Sequence, residues 1–214
     1  MTAGATKVTY TQAEYLALER AAETKSEYRY GQIYAMTCVS REHNLIAGNL
    51  FRELSVQLRK GDCETYVSDI RVRVNRTGLY TYPDVVVACG PILFEDGHVD
   101  TLLNPVVIIE VLSPSTEAYD RGEKFAHYRR LDSLQEYVLV SQDRVRIERY
   151  VRQGEQWVLS ERSAADDVLE IAAIGCRVSL ADIYERVTFS GGDSTPRSVG
   201  DRARSGSVGS AAEG

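Results

Sequence analysis

No apolar run in this chain approaches the length of a membrane span, and its start, Met1-Thr2-Ala3-Gly4-Ala5-Thr6, lacks a basic-then-apolar signal pattern. These absences predict a soluble, cytoplasmic protein with no membrane partner. An excess of positive charge is missing too: 25 Lys and Arg stand against 31 Asp and Glu, a formal charge of −6. That balance argues against a chain that coats nucleic acid through bulk electrostatics. It leaves open an enzyme that meets nucleic acid in a local groove with a bound metal. Cysteine is sparse. Cys38, Cys63, Cys89 and Cys176 are scattered without a CxxC pair, which predicts reduced, mostly buried thiols and no disulfide framework or zinc site. The single tryptophan, Trp157, is expected to pack under a hairpin. No internal repeat is evident.

What is present is an ordinary globular composition, 43% hydrophobic and 26% charged, in 214 residues, which suits one domain with a sizeable core. The expected boundaries are a flexible start over 1–10, a domain over 11–189, and a disordered Gly/Ser-rich tail over 190–214. Thr11-Gln12-Ala13-Glu14 has the form of a capping box and opens a helix to about Glu23. Glu27 to Met36 alternates around Gly31 and reads as two strands with a tight turn. Ser40 caps a second helix to Lys60, with Leu45, Ile46, Leu50, Leu54 and Leu58 as its buried stripe. Strands are predicted over 65–74, 79–88 and 105–113, and a polar loop, with room for a short helix, over 91–104. A helix follows over 117–131. Segments 136–141, 144–152, 156–161 and 168–173 read as a β-meander, and Ser179 caps a last helix over 180–186.

The chemistry concentrates between Tyr82 and Val140. Val106 to Ile109 is a strand of the kind buried on both faces, and Glu110 continues it. An unpaired carboxylate there costs several kcal/mol or takes a proton, so Glu110 requires a partner. Asp84 repeats the pattern before Val85-Val86-Val87. Two carboxylates on neighbouring buried strands suit a hard divalent cation such as magnesium. They equally suit an arginine partner for Glu110 and a turn cap at Asp84 after Pro83, and the residues alone admit both readings. On the following helix Asp120, Lys124 and Tyr128 lie one turn apart and share a face. Lys124 either stabilises charge beside an acid cluster or makes an ordinary surface pair with Asp120. His43, in the first turn of the second helix, reads most simply as a side chain satisfying that helix end or a neighbouring loop; a role at a site is the other reading. Arg71, Arg73 and Arg76 read as a solvated row or as an offset to nearby acids, ahead of a phosphate track.

These residues carry a resemblance. Tyr82-Pro83-Asp84 followed by Ile108-Ile109-Glu110-Val111 resembles the PD-(D/E)XK nuclease superfamily. The span from Thr11 to about Arg186 resembles, more closely, the Uma-type family of restriction-endonuclease-like bacterial proteins. The Glu27-Tyr28…Gly31 hairpin, Ser40-x-x-His43, Glu110 to Thr116, Asp120, Lys124, Tyr128 and Glu136-Tyr137 continue the match. The resemblance implies an α/β (α+β) restriction-endonuclease-like core, a central mixed sheet flanked by helices with the meander as an extension. It implies a metal-dependent endonuclease acting on DNA, with magnesium or manganese as cofactor, working as a homodimer. Asp84, Glu110 and the Val111 carbonyl would hold the metal, and Lys124 would assist the attacking water. Glu27, His43, Asp120 and Tyr128 would support them. One position departs from the superfamily: lysine is expected two residues after the glutamate, where this chain has Leu112, and Lys124 is the substitute. That departure keeps a second expectation open, a nuclease-like fold with little or no catalysis that serves as a nucleic-acid or protein binding module.

Overall fold

A computed structural model describes residues 8–189; the expected tail over 190–214 and residues 1–7 lie outside the described residues. The Thr11 side chain accepts the Glu14 N–H, and the Glu14 carboxylate accepts the Thr11 N–H, so the predicted capping box opens α1 (Gln12–Ala21). Tyr30 and Gly31 both take positive φ, 48° and 76°, the backbone of a two-residue turn matched to strand twist. They join β1 (Ser26–Arg29) to β2 (Gln32–Ala35). Ser40 accepts the His43 N–H and starts α2 (Arg41–Leu58), which buries Ile46, Leu50, Leu54 and Leu58.

Two predicted strands are each divided. In place of one strand over 65–74 there are β3 (Cys63–Val67) and β4 (Arg71–Val74). In place of one over 79–88 there are β5 (Leu79–Thr81) and β6 (Val85–Cys89). The breaks have local causes. Ser68 turns through φ 53°, and Pro83 has no N–H to give a ladder. They lie side by side, with the Ser68 N–H donating to the Asp84 carbonyl at 2.9 Å. At that level the chain passes between two sheets. Over 91–104 the structure has β7 (Thr101–Leu102) and no helix. β8 (Val107–Leu112) follows, all six residues buried.

The helical run after β8 is shorter than predicted and not uniform. It comprises α3 (Glu117–Tyr119), a wide π turn (Asp120–Lys124) and α4 (Phe125–Tyr128). Then come β9 (Glu136–Ser141), β10 (Ile147–Gln153), β11 (Gln156–Arg162), β12 (Val168–Ile171), β13 (Cys176–Ser179) and α5 (Leu180–Ile183). One sheet runs β2-β1-β5-β4-β7, the central one β11-β10-β9-β8-β6-β3, and β12-β13 form a hairpin. β8 pairs parallel with β9 and antiparallel with β6, so the central sheet is mixed. One of its faces packs Val107, Ile109 and Val111 under α2 and the β12-β13 hairpin. The other packs Ile108 and Leu112 against Phe125, Tyr128 and the β4-β5 part of the smaller sheet. Leu112 is therefore a core residue of that second face, where burying a leucine stabilises by about 2 kcal/mol.

One expectation is corrected here. Cys63 and Cys89 are joined by a disulfide, and Cys38 is exposed, so the thiols are neither all reduced nor mostly buried. The cause is register: the two cysteines stand directly opposite on β3 and β6. Of the two readings of the arginine row, the offset to nearby acids is the one the structure shows. Arg71 is buried and paired with Asp100, Arg73 with Glu95, and Arg76 with Asp132, so these residues offset acids. Trp157 packs edge-on to Phe125 from the β10-β11 hairpin, as expected. Among the described residues no helix is long and apolar enough to cross a membrane.

Candidate active site

β6 and β8 pair as far as Val85 and Ile109, and one step beyond, the ladder is completed by a side chain. The Asp84 carboxylate accepts the Val111 N–H at 2.7 Å, capping the strand edge in place of the turn considered from sequence. Because a residue's N–H and C=O face the same edge of a strand, the Val111 carbonyl is turned toward Asp84 as well. His43 reaches Asp84 from α2, its Nε2 lying 3.2 Å from Asp84 Oδ2. That contact is with the segment between β5 and β6, which the simpler reading of His43 allowed, and it sets the ring beside Asp84. The His43 backbone N–H is held by Ser40, but its ring belongs to the site, and its buried Nδ1 has no hydrogen-bond partner.

Glu110 is 3% exposed and faces the helical run. Its Oε1 lies 2.9 Å from Lys124 Nζ and accepts the Tyr128 hydroxyl at 2.8 Å. The partner is thus a lysine, where sequence alone had also allowed an arginine. Lys124 Nζ also lies 3.1 Å from Glu27 and 3.5 Å from Asp120, and Asp120 and Lys124 are both buried. The Asp120–Lys124 pair is therefore no surface pair. The π turn carries both residues, and wide turns of this kind recur at functional sites. Glu27 accepts the Thr81 hydroxyl, and Tyr137 donates to the Asp120 carbonyl at 3.0 Å. Three carboxylates, from β1, β8 and the π turn, thus meet one ammonium, and a fourth, Asp84 in the 82–84 break, lies alongside.

The electrostatics follow from burial and count. Burial pushes the Glu110 carboxyl up to about 8; Lys124 opposes the shift, and Asp120 and Asp84 add to it. Burial likewise raises Asp120, again against Lys124. For Lys124 burial works against the charge, yet Glu110 and Glu27 outweigh it and hold the ammonium well above its ordinary value. Lys124 is a cation at any physiological pH and cannot serve as a base.

The cluster forms the floor of a cleft of about 410 Å³. Every residue expected at the site lies in or against it: Glu27, His43, Asp84, Glu110, Val111, Asp120 and Lys124 line the cleft, and Tyr128 lies behind Glu110. Sequence reading overlooked Arg29, Tyr34 and Tyr119 in the same lining. A signal for Arg29 was available, since two-residue alternation puts it on the face of β1 that carries Glu27.

A mixed sheet flanked by helices, with buried acids and a lysine at one end, defines a restriction-endonuclease-like fold of the nuclease type. The family model described as "Uma2: Putative restriction endonuclease" matches residues 12–181, and the chain belongs to that family. Two relatives come from Synechocystis sp. (strain ATCC 27184 / PCC 6803 / Kazusa). "Uncharacterized protein slr1290" is 39% identical over 82% of this chain and 92% of its own length. "Uncharacterized protein sll1609" is 36% identical over 80% of this chain and 97% of its own. Among solved structures, a "putative nuclease belonging to DUF820" from Anabaena variabilis ATCC 29413 superposes with a TM-score of 0.68. It shares 19% identity over 81% of this chain and 97% of that one, which establishes the shared fold.

Proposed function

We propose that this protein is a magnesium-dependent endonuclease, with manganese able to substitute, that hydrolyses phosphodiester bonds of DNA. The observation that carries the reading is Glu110: a fully enclosed carboxylate held by Lys124 and Tyr128, with the Asp84 side chain across the strand end. The donor chemistry fits. Among the described residues no three His, Cys, Asp or Glu side chains converge as a ready-made cage. Magnesium does not need one, because it keeps several waters and takes one or two carboxylates. Asp84, Glu110 and the Val111 carbonyl would hold the ion. When bound, it lowers the pKa of water and stabilises charge on the phosphorus undergoing attack.

The chain's own residues then have distinct tasks. Tyr128 fixes the rotamer of Glu110 through its hydroxyl. His43 fixes Asp84 from α2. Glu27 and Asp120 hold the Lys124 ammonium beside Glu110, where its positive charge assists the attacking water and offsets the negative charge that develops. Leu112 is no obstacle to this chemistry, since the cation is supplied by the helical run and Leu112 fills the core.

The test is calorimetric titration of magnesium and manganese into wild type, Asp84→Ala and Glu110→Ala, with cleavage assays on the same samples. Wild type is expected to bind metal and cut, and both variants to do neither. Absence of metal binding by wild type at millimolar concentration would refute the reading and favour a non-catalytic binding module.

A further inference from the structure

The cleft has a second wall that the acid cluster does not use. Residues 36–40 cross its mouth between β2 and α2, and Tyr34 on β2, Met36 and Val39 line it while remaining 40%, 38% and 56% exposed. Beside them the Arg29 guanidinium lies between two rings, 4.3 Å from the Tyr34 centroid and 4.2 Å from the Tyr119 centroid. An acid also holds it, Glu123 at 3.0 Å, outside the cluster of four. Tyr119 lines the same cleft, and its buried hydroxyl has no hydrogen-bond partner. Flat rings, a planar cation stacked on them and exposed apolar side chains form a surface for unstacked bases and their phosphates.

Charge separates this surface from one built for a duplex. Double-stranded DNA carries a charge about every 1.7 Å and is gripped by rows of Lys and Arg. The lysines and arginines lining the cleft are Arg29 and Lys124, and Lys124 is committed to three carboxylates. The row that sequence reading had considered, Arg71, Arg73 and Arg76, is tied to Asp100, Glu95 and Asp132. A single strand asks for less charge and more stacking.

We propose that the cleft takes a single-stranded polynucleotide, with Tyr34, Met36 and Val39 stacking its bases and Arg29 holding the phosphate between them. This deepens the hydrolase reading and rests on it only for which bond is cut. Fluorescence anisotropy with the full chain, without divalent metal, tests it. The probes are a labelled oligonucleotide of about ten residues as DNA and as RNA, and the DNA sequence as a blunt duplex.

Either single strand is expected to bind at least about tenfold more tightly than the duplex. Tyr34→Ala and Arg29→Gln should each weaken it by about tenfold, whereas Tyr34→Phe, which keeps the ring, should bind as wild type does. Thermal melts of the same variants establish that they are folded. Equal or tighter duplex binding, no binding of any probe, or single-strand binding unchanged in folded Tyr34→Ala and Arg29→Gln would each overturn the proposal. Cleavage separates the two readings. Magnesium-dependent cutting of blunt duplex as fast as single strand keeps the nuclease and removes this inference. Ring-dependent single-strand binding without cutting does the reverse.

Discussion

The central sheet buries acids in two places, and they are treated differently. On β9 and β10, Glu136 and Glu148 are 1% and 4% exposed. Arg149 Nε meets Glu136 at 2.6 Å, and the Ala173 N–H adds a second donor at 2.8 Å. Arg121 grips Glu148 through two nitrogens, at 3.2 and 2.7 Å, with Arg146 beside it at 3.1 Å. Each of these carboxylates has a guanidinium of its own, which on Glu148 engages as a two-nitrogen fork. Glu110 on β8 is as deeply buried, but it shares one ammonium with Glu27 and Asp120, with Asp84 alongside. Burial of an acid is therefore not what marks the site. What sets Glu110 apart is being outnumbered, because three carboxylates there share one point charge.

The largest effect that would break this contrast lies at the arginine-matched acids. Arg149→Met removes the cation and leaves Glu136 enclosed and unpaired, which should cost about 3–5 kcal/mol in urea denaturation. A cost below about 1 kcal/mol would mean that Glu136 does not depend on its guanidinium, and the contrast would fail.

At the outnumbered acid the sign should differ. The folded-state pKa of Glu110 is raised above its unfolded value, so the folded state binds the extra proton across the interval between them. Glu110 therefore contributes stability below about pH 4.5 that is lost progressively as pH rises to about 8. Glu110→Gln keeps the shape and the Tyr128 contact without the charge. Above pH 7 it should be as stable as wild type, or more stable by about 1 kcal/mol, and its lead should shrink as pH falls toward 5. Urea midpoints of both proteins across that range decide it. A loss of several kcal/mol at pH 8 would show that Lys124 satisfies Glu110 as fully as Arg149 satisfies Glu136.

What the sequence disclosed follows the same division between local and assembled features. β8 was legible because a continuous Val/Ile run interrupted by one carboxylate has few other readings. Lys124 was legible as a candidate from its spacing to Asp120 and Tyr128. The approach of His43 to Asp84 was not legible, since it depends on how α2 crosses the sheet, and no local pattern encodes that. The 65–74 segment keeps its alternation through the break at Ser68, and the apolar run over 79–88 spans Pro83, so pattern ran past a change of sheet. The Cys63–Cys89 pair depends on register between β3 and β6, which spacing along the chain does not reveal.

The smallest effect supplies the baseline for the contrast. Arg76 and Asp132 also form an arginine–carboxylate pair, but their side chains are 61% and 78% exposed. Water solvates both charges whether or not they meet, so the pair gains little and its loss strands nothing. Arg76→Ala should therefore change stability by less than about 0.5 kcal/mol in the same urea titration. It should also leave the pH dependence of wild type intact, since neither residue faces Glu110. If Arg76→Ala cost as much as Arg149→Met, arginine pairing itself would be stabilising wherever it occurs. Burial would then have no part in separating the sheet's two groups of acids, and the surplus around Lys124 would lose its significance as a marker of the site.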